Sequence, residues 1–310
     1  MVMLSQFPTI SGAQEMPYSW PESEFFVSER HRLLYCPIEK VGCSSLKMWW
    51  ADLLEGATDP YFGKNELGQT TGFIDHGRLN KSFKLHNQSR QLARRPLTED
   101  GWFRFVFVRN PWSRLVSAFV NKFPSMYGPV LPVMRAVHRR WKRNPLMTAG
   151  RVVSQSPSLL SVKRGLRMTF LPLLQGAKAW SDEMTFRHFI EFLRTQSLDN
   201  DGSDLHWRPQ YRFLGNVSFQ FVGRFERLGE DLKTISHLLG VKAKLPALNA
   251  TNYAKEEAVP AGCFADAPLS QLRSLAAMPD YRKFYTRELQ QQVADLYRRD
   301  IEQFGYDFDG

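Results

Sequence analysis

No stretch of this chain holds the eighteen or so uncharged apolar residues that a membrane-spanning helix requires, so the sequence predicts no spanning segment. The opening residues 1–26 lack a basic stretch followed by an apolar core and are not read as a signal peptide. Cysteine is scarce. Cys36, Cys43 and Cys263 are odd in number and lack metal-ligand spacing, which argues against a disulfide framework and a thiolate-held metal, and fits a reduced, cytoplasmic compartment. Acid is missing from one long stretch: residues 101–181, between Asp100 and Asp182, hold fourteen Lys or Arg and not one Asp or Glu. The whole chain carries +10, so the remainder sums to about −4 by difference. A block this one-sided implies an anionic partner, with nucleic acid, an acidic glycan, an anionic lipid surface and a phosphorylated cofactor all in view.

What is present reads as α/β. The 310 residues are 43% hydrophobic, enough for one large domain. Residues 1–30, rich in Pro, Ser and Glu, read as an irregular lead-in to one domain over 31–310, with a basic insertion at about 124–180. Strands are expected at Leu33–Cys36, Phe103–Val108 and Ser218–Val222. Helices are expected at Ser44–Leu54, from Pro111 to about Lys122, at Thr185–Arg194, at Glu226–Leu239 and at Thr286–Phe304. Residues 56–100 are too polar to assign. Strands followed by helices predict a central parallel sheet flanked by helices, with ligands at the carboxyl ends of the strands.

Two segments lie just past predicted strands. In the first, Leu33–Cys36 stops at Pro37, and Glu39-Lys40-Val41-Gly42-Cys43-Ser44-Ser45 turns into a helix. Backbone N–H groups at a helix start, the helix dipole and one lysine can hold a phosphate-like anion. Gly42 lets the backbone approach closely, and Ser44 and Ser45 add hydroxyl donors. The loop does not match the G-x-x-x-x-G-K-[ST] signature of nucleotide triphosphatases, because Lys40 precedes Gly42 and no earlier glycine is present. In the second segment, Arg109 leaves a strand end, Pro111 opens a helix, and Arg114 and Ser117 are spaced to share one helical face. A guanidinium at the strand end and a serine further along can grip one phosphate. Taken alone, Arg109 in R-N-P-W reads more readily as a helix-terminus or surface ion-pair residue.

Together the segments resemble the sulfotransferase family that includes the chondroitin 4-O- and HNK-1-type carbohydrate sulfotransferases. Cys36-Pro37-Ile38-Glu39-Lys40-Val41-Gly42-Cys43-Ser44 is similar to that family's 5′-phosphosulfate loop, and Val108–Lys122 to its 3′-phosphate motif. Weaker similarity follows at Phe186–Leu193, His206-Trp207, Phe221–Leu228 and Tyr297–Tyr306. The family's animal members are Golgi membrane proteins; with no anchor found, this chain is expected to be a soluble member of a bacterial kind. A Thr-Arg loop common in relatives has no arginine in Leu248–Tyr253.

The resemblance implies a P-loop-like sulfotransferase fold and 3′-phosphoadenosine 5′-phosphosulfate as donor cosubstrate, with sulfuryl transfer to a hydroxyl acceptor, a glycan by family. It assigns the 5′-phosphosulfate to Lys40, Val41, Gly42, Cys43, Ser44 and Ser45 and the 3′-phosphate to Arg109 and Ser117. Lys40 is the expected catalytic cation, and His76 or His86, between the two motifs, the expected base; His76 comes first because Asp75 could orient it. Glu66 and Asp75 are further options, and His206-Trp207 reads as a packing or acceptor-side element. No metal is expected. Cys43 at a helix start could carry a lowered pKa, although a small packing residue is the more ordinary role. The Trp49-Trp50 pair reads as helix core. Two alternatives stand beside this reading: a nucleic-acid-binding protein, weakened because Trp141 is the one aromatic within Arg135–Arg143, and a nucleotide-dependent phosphotransferase. Arg135, Arg139, Arg140, Lys142 and Arg143 are expected to face an anionic acceptor or to make peripheral contact with an anionic surface, not to read a specific nucleic acid.

Overall fold

The computed structural model describes residues 21–56, 58–64, 70–88, 95–123, 182–200, 203–240 and 262–310. The basic insertion at 124–180, Glu66 and the loop 248–253 lie outside them. The described residues fall into two compact units, one within Met1–Arg114, Arg208–Thr251 and Tyr297–Gly310, the other within Leu115–Trp207 and Asn252–Leu296.

The first unit is built on a four-stranded sheet. Its strands are β1 (Phe26–Ser28), β2 (Leu33–Cys36), β5 (Phe103–Val108) and β6 (Phe221–Arg224), in the order β1-β2-β5-β6. The pairs β2–β5 and β5–β6 are parallel, whereas β1 joins β2 antiparallel, so the sheet is mixed with a parallel core. All four residues of β2 are buried, as a continuous apolar run in an interior parallel strand should be. The stretch read as an irregular lead-in therefore contains β1, which three buried residues hold against β2. The sixth strand is displaced from its expected place, with Ser218–Gln220 ahead of it. The unassigned stretch supplies a separate antiparallel pair, β3 (Phe62–Lys64) and β4 (Thr70–Ile74).

Helix α1 (Cys43–Glu55) covers this sheet with Trp49 and Trp50, both fully buried. Tyr35 and Phe105, paired across β2 and β5, stack at 5.2 Å, and Trp50 lies 6.2 and 6.0 Å from those rings. Burying large apolar rings contributes roughly 1.5–3 kcal/mol each, and their mutual geometry adds to that. Helix α2 (His76–Phe83) follows β4, and the short α3 (Arg95–Thr98) precedes β5. The one charged residue in β5, Arg104, is buried because Nε and Nη2 donate to the carbonyls of Pro96 and Glu99. Helix α4 (Pro111–Asn121) has proline at its first position, and Asn110 Oδ1 accepts from the N–H groups of Trp112 and Ser113.

The second unit is an aromatic cluster. In α5 (Phe186–Arg194), Thr185 and His188 form a reciprocal cap, and Phe186, Phe189 and Phe192 recur at helical spacing. Phe123 lies 4.6 Å from Phe189, and Trp207 packs edge-on to Phe189 and Phe192. In the first unit, β6 leads through a 3-10 turn into α6 (Leu228–Leu238). In the second, α7 (Leu269–Ser274) and α8 (Arg287–Leu296) follow. The long terminal helix expected over Thr286–Phe304 is two helices, because Tyr297 leaves helical geometry (φ −118°, ψ 23°) before α9 (Arg298–Phe304).

Gly223 in β6 lies beneath Phe107. A Cβ there would sit 2.4 Å from Phe107 Cε1 and 3.0 Å from Phe221 Cε1. Gly223→Ala should therefore destabilise the protein by about 1–3 kcal/mol through overpacking. Urea titration measures this, and an unchanged midpoint would show that the rings yield freely.

Candidate functional site

The loop between β2 and α1 contains two residues with left-handed backbone, Lys40 at φ +69° and Gly42 at φ +67°. Glycine adopts this region without penalty, whereas for lysine it costs on the order of 1–2 kcal/mol. Gly42 is also closely packed, since a Cβ there would lie 3.2 Å from Leu228 Cδ2 and from Phe225 Cε2. Lys40 is held from several directions. Arg109 Nη1 donates to its carbonyl at 3.1 Å, and Arg114 Nε donates to the preceding Glu39 carbonyl at 2.9 Å. The Glu39 carboxylate accepts the Cys43 thiol at 3.1 Å and lies 3.7 Å from the buried Lys47 ammonium. No side chain caps α1. Its first turn therefore presents backbone N–H groups in the manner of an anion-binding helix start.

Arg109 follows β5 directly and is buried. Its backbone is clamped by the Gln210 amide: Arg109 N–H donates to Gln210 Oε1 at 2.8 Å, and Gln210 Nε2 donates back to the Arg109 carbonyl at 2.7 Å. Its guanidinium donates through Nε to Ser113 Oγ at 2.8 Å and lies 4.3 Å above the Phe225 ring. Asn110 donates its N–H to Glu226 and its side-chain amide to the Asp307 carbonyl, and Glu226 also accepts the Tyr306 hydroxyl. Arg114 is 1% exposed and donates as well to the Arg208 carbonyl at 2.8 Å. Burial pushes its pKa down, yet an arginine stays charged at neutral pH. Behind this layer Asp300 is fully buried and accepts from the N–H groups of Gln210 and Tyr211 at 2.7 and 2.8 Å.

Lys40, Gly42, Cys43 and Arg109 thus meet in one unit, and a direct hydrogen bond joins the two sequence segments. Ser117 lies three residues beyond Arg114 on α4 and is buried. The Arg114 guanidinium donates to the carbonyls of Glu39 and Arg208. The Cys43 thiol is pushed up to about 12, first by burial and then by Glu39, so it is a packing residue and not an activated thiol. His76 is the exposed first residue of α2, and one oxygen of Asp75 caps that helix by accepting from Arg78 N–H. His86 lies in the 3-10 turn Leu85–Asn87. Sequence reasoning missed Gln210, Glu226 and Asp300, whose partners are 80 or more positions away and leave no local pattern. In the second unit, Asp204 Oδ1 lies 2.7 Å from His206 Nδ1, an arrangement in which an ionised carboxylate fixes the proton on Nδ1 and leaves Nε2 as acceptor. The D-x-H spacing was the available signal for that pair. Among the described residues no cluster of His, Cys, Asp and Glu could hold a metal, and no helix is long and apolar enough to cross a membrane.

Residues 23–307 match the Sulfotransferase family. The chain is 27% identical to carbohydrate sulfotransferase 9 of Homo sapiens over 293 residues, 92% of this chain and 53% of that protein. It is 27% identical to carbohydrate sulfotransferase 8 of Homo sapiens over 290 residues, 89% and 57% of the two. It is 26% identical to carbohydrate sulfotransferase 12 of Mus musculus over 316 residues, 97% and 64%. The chain therefore spans a little over half the length of the first two of these relatives. No solved structure matches the chain.

The support beneath Arg109 generates a pH prediction. Burial pushes the Asp300 carboxyl from 3.8 to about 6, against the downward pull of its two N–H donors and of Arg114. A raised folded-state pKa means that stability from this group is fully present below the unfolded carboxylate range and is lost as pH rises through about 6. Urea titrations from pH 4 to pH 7 should show wild type losing stability relative to Asp300→Asn as pH rises. A pH-independent difference between the two would show that Asp300 does not titrate in this window.

Proposed function

The chain belongs to the sulfotransferase family, and from that premise we propose that it transfers the sulfuryl group of 3′-phosphoadenosine 5′-phosphosulfate to a carbohydrate hydroxyl. The observation that carries this reading is the Arg109–Lys40 hydrogen bond, which ties the two anion-type segments together across 69 positions. The curated relatives, all named carbohydrate sulfotransferases, support the acceptor class.

The chemistry is an in-line displacement. The acceptor oxygen attacks sulfur, the bond from sulfur to the 5′-phosphate oxygen breaks, and the products are a sulfate ester and the 3′,5′-bisphosphate nucleotide. Charge builds on the departing 5′-phosphate, and Lys40 with the N–H groups from Val41 and Gly42 through Cys43, Ser44 and Ser45 would stabilise it. Arg109 and Ser117 would grip the 3′-phosphate and set the register of the nucleotide. A base takes the acceptor's proton. His76 and His86 are proposed for that role from their place between the two motifs. The basic cluster Arg135–Arg143 would draw in an anionic acceptor through long-range attraction that salt screens. Calorimetry with the phosphosulfate nucleotide, ATP and a short duplex separates this reading from a phosphotransferase or a nucleic-acid binder.

With radiolabelled donor and the glycan that an acceptor screen identifies, Lys40→Ala should lower turnover by on the order of a hundredfold or more. Arg109→Ala should weaken binding of 3′,5′-bisphosphate nucleotide by roughly 2–4 kcal/mol, and should lower turnover too because Arg109 also holds the Lys40 carbonyl. Normal turnover in a folded Lys40→Ala protein would remove Lys40 from the mechanism.

Of His76→Ala and His86→Ala, the variant that removes the base should lose about 10²–10⁴ in kcat with little change in donor affinity. If both retain turnover, the proton leaves by another route.

A further inference from the structure

We infer that Arg114 is a positioning residue for the donor loop: by holding the Glu39 carbonyl it keeps Lys40 in the left-handed backbone conformation from which its side chain serves the 5′ end of the nucleotide. This rests on the donor site proposed above. The argument is geometric. A peptide unit is planar, so the backbone at Lys40 has two soft dihedrals, and each is set by one of the two flanking peptide planes. The plane before Lys40 carries the Glu39 carbonyl, which accepts from Arg114 Nε at 2.9 Å. The plane after it carries the Lys40 carbonyl, which accepts from Arg109 Nη1 at 3.1 Å. Two guanidiniums therefore fix both planes around one Cα, and that Cα sits at φ +69°. A non-glycine residue stays in that region when its surroundings over-determine it.

Three further observations place Arg114 behind the loop and not in it. Its side chain is buried, with the guanidinium's other end donating to the Arg208 carbonyl at 2.8 Å. It lies 6.0 Å from the Phe213 ring, so an aromatic surface backs it. The Glu39 side chain is anchored separately by Cys43 and Lys47 of α1, so the peptide that Arg114 holds cannot swing as a free loop. Arg114 thus shares a motif with Arg109 but has a different task. Arg109 is placed to touch a ligand and also the loop, whereas Arg114 is buried behind the loop, bonded to the Glu39 and Arg208 carbonyls, and acts on a nucleotide through Lys40.

The test uses two nucleotides, adenosine 3′,5′-bisphosphate and adenosine 3′-monophosphate, which differ in the 5′-phosphate that Lys40 would serve. Arg114→Gln should weaken the bisphosphate about tenfold, the scale of one charge-assisted hydrogen bond, and change the 3′-monophosphate by no more than about twofold. In a Lys40→Ala background the same substitution should have no further effect on either nucleotide. Arg114→Lys, which keeps the charge and one donor, should fall between wild type and Arg114→Gln, and it decides the comparison alone if the glutamine variant does not unfold cooperatively. Equal losses for the two nucleotides, or additive losses in the double variant, would overturn the assignment. If wild type binds the bisphosphate no better than the 3′-monophosphate, the proposed donor site itself falls, and the role of Arg114 with it.

Discussion

Holding a lysine at positive φ works against the chain's own sterics, because a Cβ in the left-handed region crowds the adjacent carbonyl. The bonds around Lys40 make sense as the means of offsetting that cost. Arg109 and Arg114 come from the start of α4, Cys43 and Lys47 from the start of α1, and Gly42 supplies the second left-handed residue. Each of these contacts alone is modest, on the order of 1–3 kcal/mol for a hydrogen bond to a charged group. Their convergence on two consecutive peptides sets the loop's shape.

That convergence depends on where the strands end. The parallel pairing of β2 with β5 puts Cys36 beside Val106 and so brings the loop after β2 near the turn after β5. Pairing of β5 with β6 puts Val108 beside Arg224, which delivers Phe225 under Arg109 and Glu226 to the Asn110 N–H. Gln210 clamps the Arg109 backbone on both sides, and Asp300 caps the turn that carries Gln210. The site is therefore a set of strand ends tied by side-chain-to-backbone bonds, with apolar packing of Tyr35, Trp50 and Phe105 beneath.

Much of this frame was legible in the sequence. The runs Leu33–Cys36 and Phe103–Val108 are strands with those bounds, because four and five consecutive buried positions leave little ambiguity. Helix α4 begins at Pro111 as expected and α1 one residue ahead of the expected Ser44, since helix starts are written in local residues. The short strand β1 was not legible: three residues carry no period, and only its pairing with β2 makes it a strand. The break at Tyr297 was invisible for a related reason, as the apolar spacing continues through it. Lys40, Gly42 and Arg109 announced themselves by residue type at strand ends. The bonds of Arg114 to the Glu39 and Arg208 carbonyls were not legible, because carbonyls have no signature in a sequence.

The segment after α8 has a consequence for biosynthesis. Asp300 caps the turn at Gln210, the Asp307 carbonyl receives the Asn110 amide, Tyr306 bonds Glu226, and Phe308 packs edge-on against Trp112 at 5.7 Å. The Asn110–Asp307 bond closes a separation of 197 positions. At synthesis rates of about 5–20 residues per second, Asn110 exists for roughly 10–40 s before its partner is made. For the first part of that interval β6 is still to be made as well, and only afterwards does Asn110 wait beside a complete sheet. Closing the corner that carries Arg109 and Asn110 is a late event in making the protein.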